Sequence, residues 1–220
     1  MKPLWLAVAL LAPSPARADD IWKTVEKHDR SRLRASVSIG VSDRQVLAYG
    51  RSFDFVTTSG KTLSLDGAAL GAMQDVGVDL GVRVAFLGPA YAGFEVTLGG
   101  LAVSSAKDKS QSLFVVGGPR FAMGAAGVLG VTCLRRGRLQ VGLEIVGGGW
   151  ATTFFLYREK GGGYTGRRET YGEGIVEPRA RVDFWIDRRS TLGVWAGTDL
   201  VVPGEAAFGA TFDVHFGARR

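Results

Sequence analysis

Ala180-Arg181-Val182-Asp183-Phe184-Trp185-Ile186 sets Ala180, Val182, Phe184 and Ile186 on one parity and Arg181, Asp183 and Trp185 on the other. Side chains alternate across an extended strand, so this stretch predicts a β-strand with one apolar and one polar face. The two segments that follow repeat the pattern. Leu192, Val194, Ala196 and Leu200 alternate with Gly193, Trp195, Gly197 and Asp199. Phe208, Ala210, Phe212, Val214 and Phe216 alternate with Gly209, Thr211, Asp213 and His215.

Moving upstream, five further segments carry the same period. Leu33, Ala35, Val37, Ile39 and Val41 share a face, as do Val76, Val78, Leu80, Val82, Val84 and Phe86. Ala92, Phe94, Val96 and Leu98 form a third set. Phe121, Met123, Ala125, Leu129 and Val131 form a fourth in a glycine-rich stretch, and Leu139, Val141, Leu143 and Ile145 a fifth. These faces hold roughly forty positions without a charge, where a chain with 22% charged residues would place about nine by chance.

Eight strands follow from this count, and their connections alternate in length. Gly88-Pro89, Arg135-Arg136-Gly137-Arg138 and Asp187-Arg188-Arg189-Ser190 are tight turns. Between them lie longer links at residues 43–72, 105–111 and 158–174, with 203–206 a shorter fourth. Short turns at one end and longer links at the other are the habit of transmembrane barrels. The N-terminal apolar run is too short to span a bilayer as a helix, and the longest uncharged run after it, 121–134, is also below the span needed and is glycine-rich. A membrane protein without such a helix closes its sheet, because every backbone amide in lipid needs a partner.

The N-terminus reads as an export signal. Lys2 supplies the charge, residues 4–12 the apolar run and Ala16-Arg17-Ala18 the small-x-small cleavage pattern. The expected organisation is a signal peptide over 1–18, a periplasmic segment over 19–32 and a barrel over 33–220. Removal of Lys2 and Arg17 lowers the formal charge from +6 by two, and the remaining arginines form no long basic run, so no nucleic-acid footprint is present. Cys133 is the only cysteine, which rules out an intrachain disulfide, and with two histidines it makes a Cys/His zinc site an unsuitable reading.

The whole pattern over residues 33–217 resembles the small outer-membrane barrels of the OmpA/OmpX type. The last strand, with Gly209 followed by Phe212, Val214 and Phe216, is similar to the outer-membrane assembly signal, although here Gly217-Ala218-Arg219-Arg220 follow the final aromatic residue. The resemblance implies an all-β, eight-stranded up-and-down barrel in the outer membrane. It also implies membrane lipid, lipopolysaccharide and the assembly machinery as partners.

In such a barrel the polar face lines the lumen. Asp79, Glu95, Glu144, Asp183, Asp199 and Asp213 then face Arg83, Arg179 and Arg181, with Arg120 and His215 as additions. Eight strands leave room only for their own side chains, so these charges are expected to pair and plug the interior, with lumen glycines making space for Trp185, Trp195 and the arginines. A narrow pore and a soluble lipocalin-like carrier with reversed faces are the alternatives. Neither a cofactor nor a metal is expected, and no catalytic group: His28 precedes the barrel, His215 lies near the periplasmic end, and no Ser/His/carboxylate set can be assembled on the outer side. In link 158–174, Tyr164, Arg167, Arg168 and Tyr171 are candidate contacts for sugar, phosphate or a partner. Gly161-Gly162-Gly163 there is no phosphate-cradling loop, since no helix pattern or Lys-Ser/Thr follows. Sequencing of the protein from an envelope fraction is expected to start at Asp19; a start at Met1 would defeat the export reading.

Overall fold

The computed structural model describes residues 34–47, 52–56, 62–66, 72–103, 107–108, 113–160, 163–187 and 189–217. The signal, its cleavage site and the 19–32 segment lie outside the described residues.

Among the described residues eleven strands run in chain order: β1 (Arg34–Leu47), β2 (Ser52–Val56), β3 (Thr62–Asp66), β4 (Ala72–Leu87), β5 (Ala90–Val103), β6 (Lys107–Asp108), β7 (Leu113–Arg136), β8 (Leu139–Lys160), β9 (Gly163–Trp185), β10 (Ser190–Thr198) and β11 (Ala206–Gly217). Eight of them form the barrel in the order β5-β4-β1-β11-β10-β9-β8-β7, and pairing of β5 with β7 closes the ring. Every barrel pairing is antiparallel.

The tight turns fall where the sequence placed them. Two-residue turns join β4 to β5 and β7 to β8, each with glycine first, at φ 53° for Gly88 and 57° for Gly137. A side chain disfavours that backbone region, and glycine in the first central position matches the right-handed twist of the flanking strands. At the third turn Asp187 Oδ1 accepts the N–H groups of Arg189 at 2.7 Å and Ser190 at 2.9 Å, which holds its carboxyl below the ordinary value.

The faces also follow the alternation. Ile39, Val41, Leu129, Ile145, Val194 and Phe208 are each more than half exposed on the outer wall. On the opposite parity Ser38, Asp79, Glu144, Arg181, Asp183 and Asp213 are buried inside. An apolar surface wrapped around the whole barrel suits lipid and not water. The lipocalin-like alternative needs the opposite facing and is excluded.

The links differ from the sequence reading. Residues 158–160 and 163–174 are strand and not loop: β8 and β9 stay in register from Leu139↔Phe184 to Lys160↔Gly163. The run Thr152-Thr153-Phe154-Phe155-Leu156-Tyr157 favours extended structure, and backbone pairing carries the hairpin on after the apolar alternation fades. Link 43–72 contains the hairpin β2–β3, and link 105–111 contains β6 against Leu113 and Phe114. As a result β7, β8 and β9 run 22–24 residues each, while β10 and β11 run 9 and 12. Pro178 stands opposite the end of β10, beyond the last pair Gly197↔Arg179, where its missing N–H costs no ladder bond.

Residues 180–185 offer the sharpest test of which face meets lipid, because an arginine turned outward near mid-bilayer costs about 2–4 kcal/mol. With the exposed Cys133 changed to Ser, spin labels at positions 182 and 184 are expected to relax strongly with oxygen and weakly with a water-soluble nickel complex. Labels at 181 and 183 are expected to be shielded from lipid. Free nickel access to 181 and 183, with 182 silent to both reagents, would overturn the arrangement.

Candidate functional site: the charged lumen

The inward side chains stack in three layers along the barrel axis. At the tight-turn end, Arg181 on β9 binds both oxygens of Asp183 through Nε at 2.8 and 3.0 Å, and reaches Asp213 at 2.5 Å and Thr211 at 3.0 Å through Nη2. Arg83 on β4 pairs with Glu144 at 3.0 Å, and its other nitrogens lie 3.6 Å from Glu95 and 3.8 Å from Asp213. The Tyr91 hydroxyl donates to Glu144 at 2.9 Å. His215 stacks on Trp185 with centroids 4.5 Å apart, and its Nε2 lies 3.0 Å from the Thr191 hydroxyl.

In the middle layer Arg179 pairs with Glu95 at 2.6 Å and with Glu177, and its guanidinium lies 3.8 Å from the centre of the Trp195 ring. The ring in turn covers Gly209, where an added Cβ would sit 2.7 Å from it, so only glycine leaves the tryptophan room. Asp79 Oδ1 accepts the hydroxyls of Thr97 at 2.5 Å and Ser42 at 2.9 Å.

The outer layer centres on Arg44. It pairs with Glu177, lies 4.0 Å from Asp199 and sits 5.1 Å from the Trp150 ring centre. The Trp150 indole donates to Asp75 at 3.0 Å, as does the Thr152 hydroxyl at 3.3 Å. Ala122, Ala126, Val128, Val146 and Ile175 pack around Trp150 on the inner side of β7–β9. Asp199 Oδ1 accepts the N–H of Val176 at 3.2 Å and of Val201 at 2.8 Å, and so caps the β9 edge where β10 leaves it.

The structure therefore brings Arg83, Glu95, Glu144, Arg179, Arg181, Asp183 and Asp213 together, gives Asp79 hydroxyl partners in place of an arginine, and sets Asp199 beside Arg44. The side chain of Arg120 lies outside the described residues. Arg44, Asp75, Glu173, Glu177 and Glu205 were missed. Four of them share the inward parity of Ser42, Gly77 and Arg179, so extending β1, β4 and β9 by a few residues would have found them; Glu205 lies in a connection and carries no periodic signal. These additions change the balance. Among the described residues, the lumen groups are Asp75, Asp79, Glu95, Glu144, Glu173, Glu177, Asp183, Asp199, Glu205 and Asp213 against Arg44, Arg83, Arg179 and Arg181. Among the described residues the lumen is acidic, and more so than the six carboxylates and the arginines read from the sequence.

Of the candidate contacts in 158–174, Tyr171 points inward, is 4% exposed and donates to Glu173 at 2.5 Å, so it is no surface contact. Its odd-numbered position puts it in phase with Arg179 and Arg181. Arg168 is exposed, and the side chains of Tyr164 and Arg167 lie outside what the structure describes.

Among the described residues, two spaces bear on the lumen. A cavity of about 550 Å³ opens at the tight-turn end and reaches Arg83, Arg181, Asp213 and His215. Above it, between Arg179, Trp195, Arg44 and Trp150, only about 10 Å³ is free.

No family model matches the chain, and no curated protein sequence does. Among solved structures, Ail, the attachment invasion locus protein of Yersinia pestis, matches with a TM-score of 0.45 at 9% identity, over 84% of this chain and 100% of that one. Neisserial surface protein A matches with a TM-score of 0.39 at 8% identity, over 86% and 98%. The N-terminal β-barrel domain of Pseudomonas aeruginosa OprF matches with a TM-score of 0.38 at 8% identity, over 82% and 97%.

Arg181→Met removes the cation from Asp183 and Asp213 while keeping much of the side-chain volume. It is expected to destabilise the folded barrel by about 3–5 kcal/mol, the usual cost of leaving buried charges without their partner. Adding Asp213→Asn is expected to recover about 0.5–3 kcal/mol through coupling of the pair. Equilibrium urea unfolding in detergent micelles at neutral pH checks both, and additive effects would show the pair to be energetically independent.

Proposed function

We propose that this chain is a non-enzymatic outer-membrane protein whose plugged barrel anchors an outward-reaching β8–β9 hairpin, and that it acts through structure and surface contact. The observation that carries this reading is the occlusion of the lumen at its middle. Arg179 rests on Trp195, Arg44 lies over Trp150, and the space between them is about the size of one water molecule. The cavity at the tight-turn end is thus a blind vestibule, open to the periplasm in the orientation the short turns imply. The hairpin supplies the outer contact surface. Arg168 is exposed on it, and arginine suits phosphate or sugar groups such as those of lipopolysaccharide. Phe212, Val214 and Phe216 on β11 alternate in the manner an assembly machine reads in a final strand, which supports the outer membrane as the destination.

The pore alternative has one observation in its favour. The lumen carries more carboxylates than arginines, as a cation pathway would, and the vestibule already extends into it. Recording in planar bilayers at neutral pH separates the two readings. The wild-type protein is expected to show no reproducible conductance steps. Stable, cation-selective steps would put the pore first and the anchor second.

A further inference from the structure

The excess of acid is greatest at the outer end of the lumen. Glu205 lies in the connection from β10 to β11 and is fully buried. Its Oε1 accepts the backbone N–H of Leu47, at the end of β1, at 2.5 Å. Its Oε2 is buried with no donor. Across the mouth on β9, Glu173 Oε2 accepts the Tyr171 hydroxyl, while Oε1 is likewise buried with no donor. The two carboxyl groups lie close enough for each to act on the other, with a buried acceptor on each side left without a donor.

Ionised carboxylates can only accept, so a hydrogen bond between two of them requires a proton on one. Among the described residues no cation near the pair removes that need. Arg44, facing the pair from β1, is already engaged with Glu177 and lies beside Asp199. The other charged neighbours, Glu177 on β9 and Asp199 in the connection, are themselves acidic. We propose that Glu173 and Glu205 hold one proton between them, and that this shared proton latches the 199–205 connection across the outer end of the lumen.

Burial is the largest influence on Glu205, and with the Glu173 charge it pushes the carboxyl up to about 8 against the lowering effect of the Leu47 N–H and Arg44. A raised acid stabilises the closed form fully below its ordinary value. That contribution falls as pH rises from about 4.5 and is gone above about 8. Once both groups are ionised, like charges face each other in a buried site, and the contact must break or hydrate. The β10 end of the connection keeps its own ties, since Leu200 N–H donates to Val176 at 2.8 Å. Opening therefore swings the Glu205 side away from Leu47 and admits water toward Arg44 and Trp150. The inference rests on the fold and not on whether the barrel conducts.

The test is hydrogen exchange on the full folded protein in detergent micelles at pH 6 and pH 9, corrected for the intrinsic pH dependence of exchange. The readout is protection of Leu47 and of residues 199–205. Wild type is expected to lose protection about tenfold for each pH unit between 6 and about 8 and little more beyond, so that it is on the order of a hundredfold less protected at pH 9 than at pH 6. Glu205→Gln replaces the shared proton with amide hydrogens that do not titrate, and is expected to keep its protection at pH 9. Equal corrected protection of wild type at both pH values, or loss of protection in Glu205→Gln matching wild type, would overturn the latch. If that variant does not fold, Glu173→Gln supplies the same non-titrating donor from the other side and carries the same two outcomes. Infrared difference spectra give a second reading. The carbonyl band of a buried neutral carboxylic acid is expected in wild type at pH 7 and not in the Glu205→Gln protein; its absence from wild type would also overturn the proposal.

Discussion

A sheet in lipid can leave no edge, and the pairing of β5 with β7 is the contact that removes the last one. Closure at eight strands sets the interior width, which leaves space for side chains and little else. Everything inside the barrel follows from that limit. Polar groups turned inward lose most of their water and must find partners among themselves, so arginines from β1, β4 and β9 each engage more than one carboxylate. Large rings fit only where the facing position has no side chain, as Trp195 does over Gly209. The outer wall is governed by the opposite requirement, and its exposed valines, leucines and phenylalanines are at home only in acyl chains.

The same closure makes the barrel uneven. β10 and β11 are short and end at the connection that carries Asp199 and Glu205, whereas β7, β8 and β9 continue as a three-stranded extension. Where β10 departs, β9 loses a hydrogen-bonding neighbour, and the chain manages that edge locally. Pro178 brings no N–H to it, and Asp199 accepts the N–H of Val176. Acidic groups gather at this departure because they cap free backbone donors: Asp199 serves Val176 and Val201, and Glu205 serves Leu47. Capping donors and avoiding like charges conflict there, and a proton between Glu173 and Glu205 resolves the conflict.

Much of the lumen was legible in the linear order, because period two assigns a side to every residue of a strand once one residue is placed. Arg181 and Asp183 are two apart on one strand and therefore meet on one face; Asp213 joins them from β11 by the same parity. The same rule extended by a few residues reaches Arg44, Glu177, Glu173 and Tyr171. It was cut short at segments where the outward positions cease to be apolar. Glycine fills Gly147, Gly149, Gly172 and Gly174 on that wall, so the apolar half of the alternation disappears while the strand continues. Strand ends are set there by backbone pairing, which leaves no mark on side-chain hydropathy.

By itself the sequence determined the count of barrel strands, their facing, the tight turns and the chemical contrast between wall and lumen, because each of these is a local consequence of alternation or of turn chemistry. Only the tertiary structure decided which carboxylate an arginine engages and how tall the β7–β9 extension stands. Partner choice across a lumen depends on shear between strands far apart in the chain, as when Arg83 meets Glu144 or Arg44 meets Glu177. A residue in a connection, as Glu205 is, has no period to place it; its position comes from the Leu47 N–H that it accepts on the other side of the closed ring.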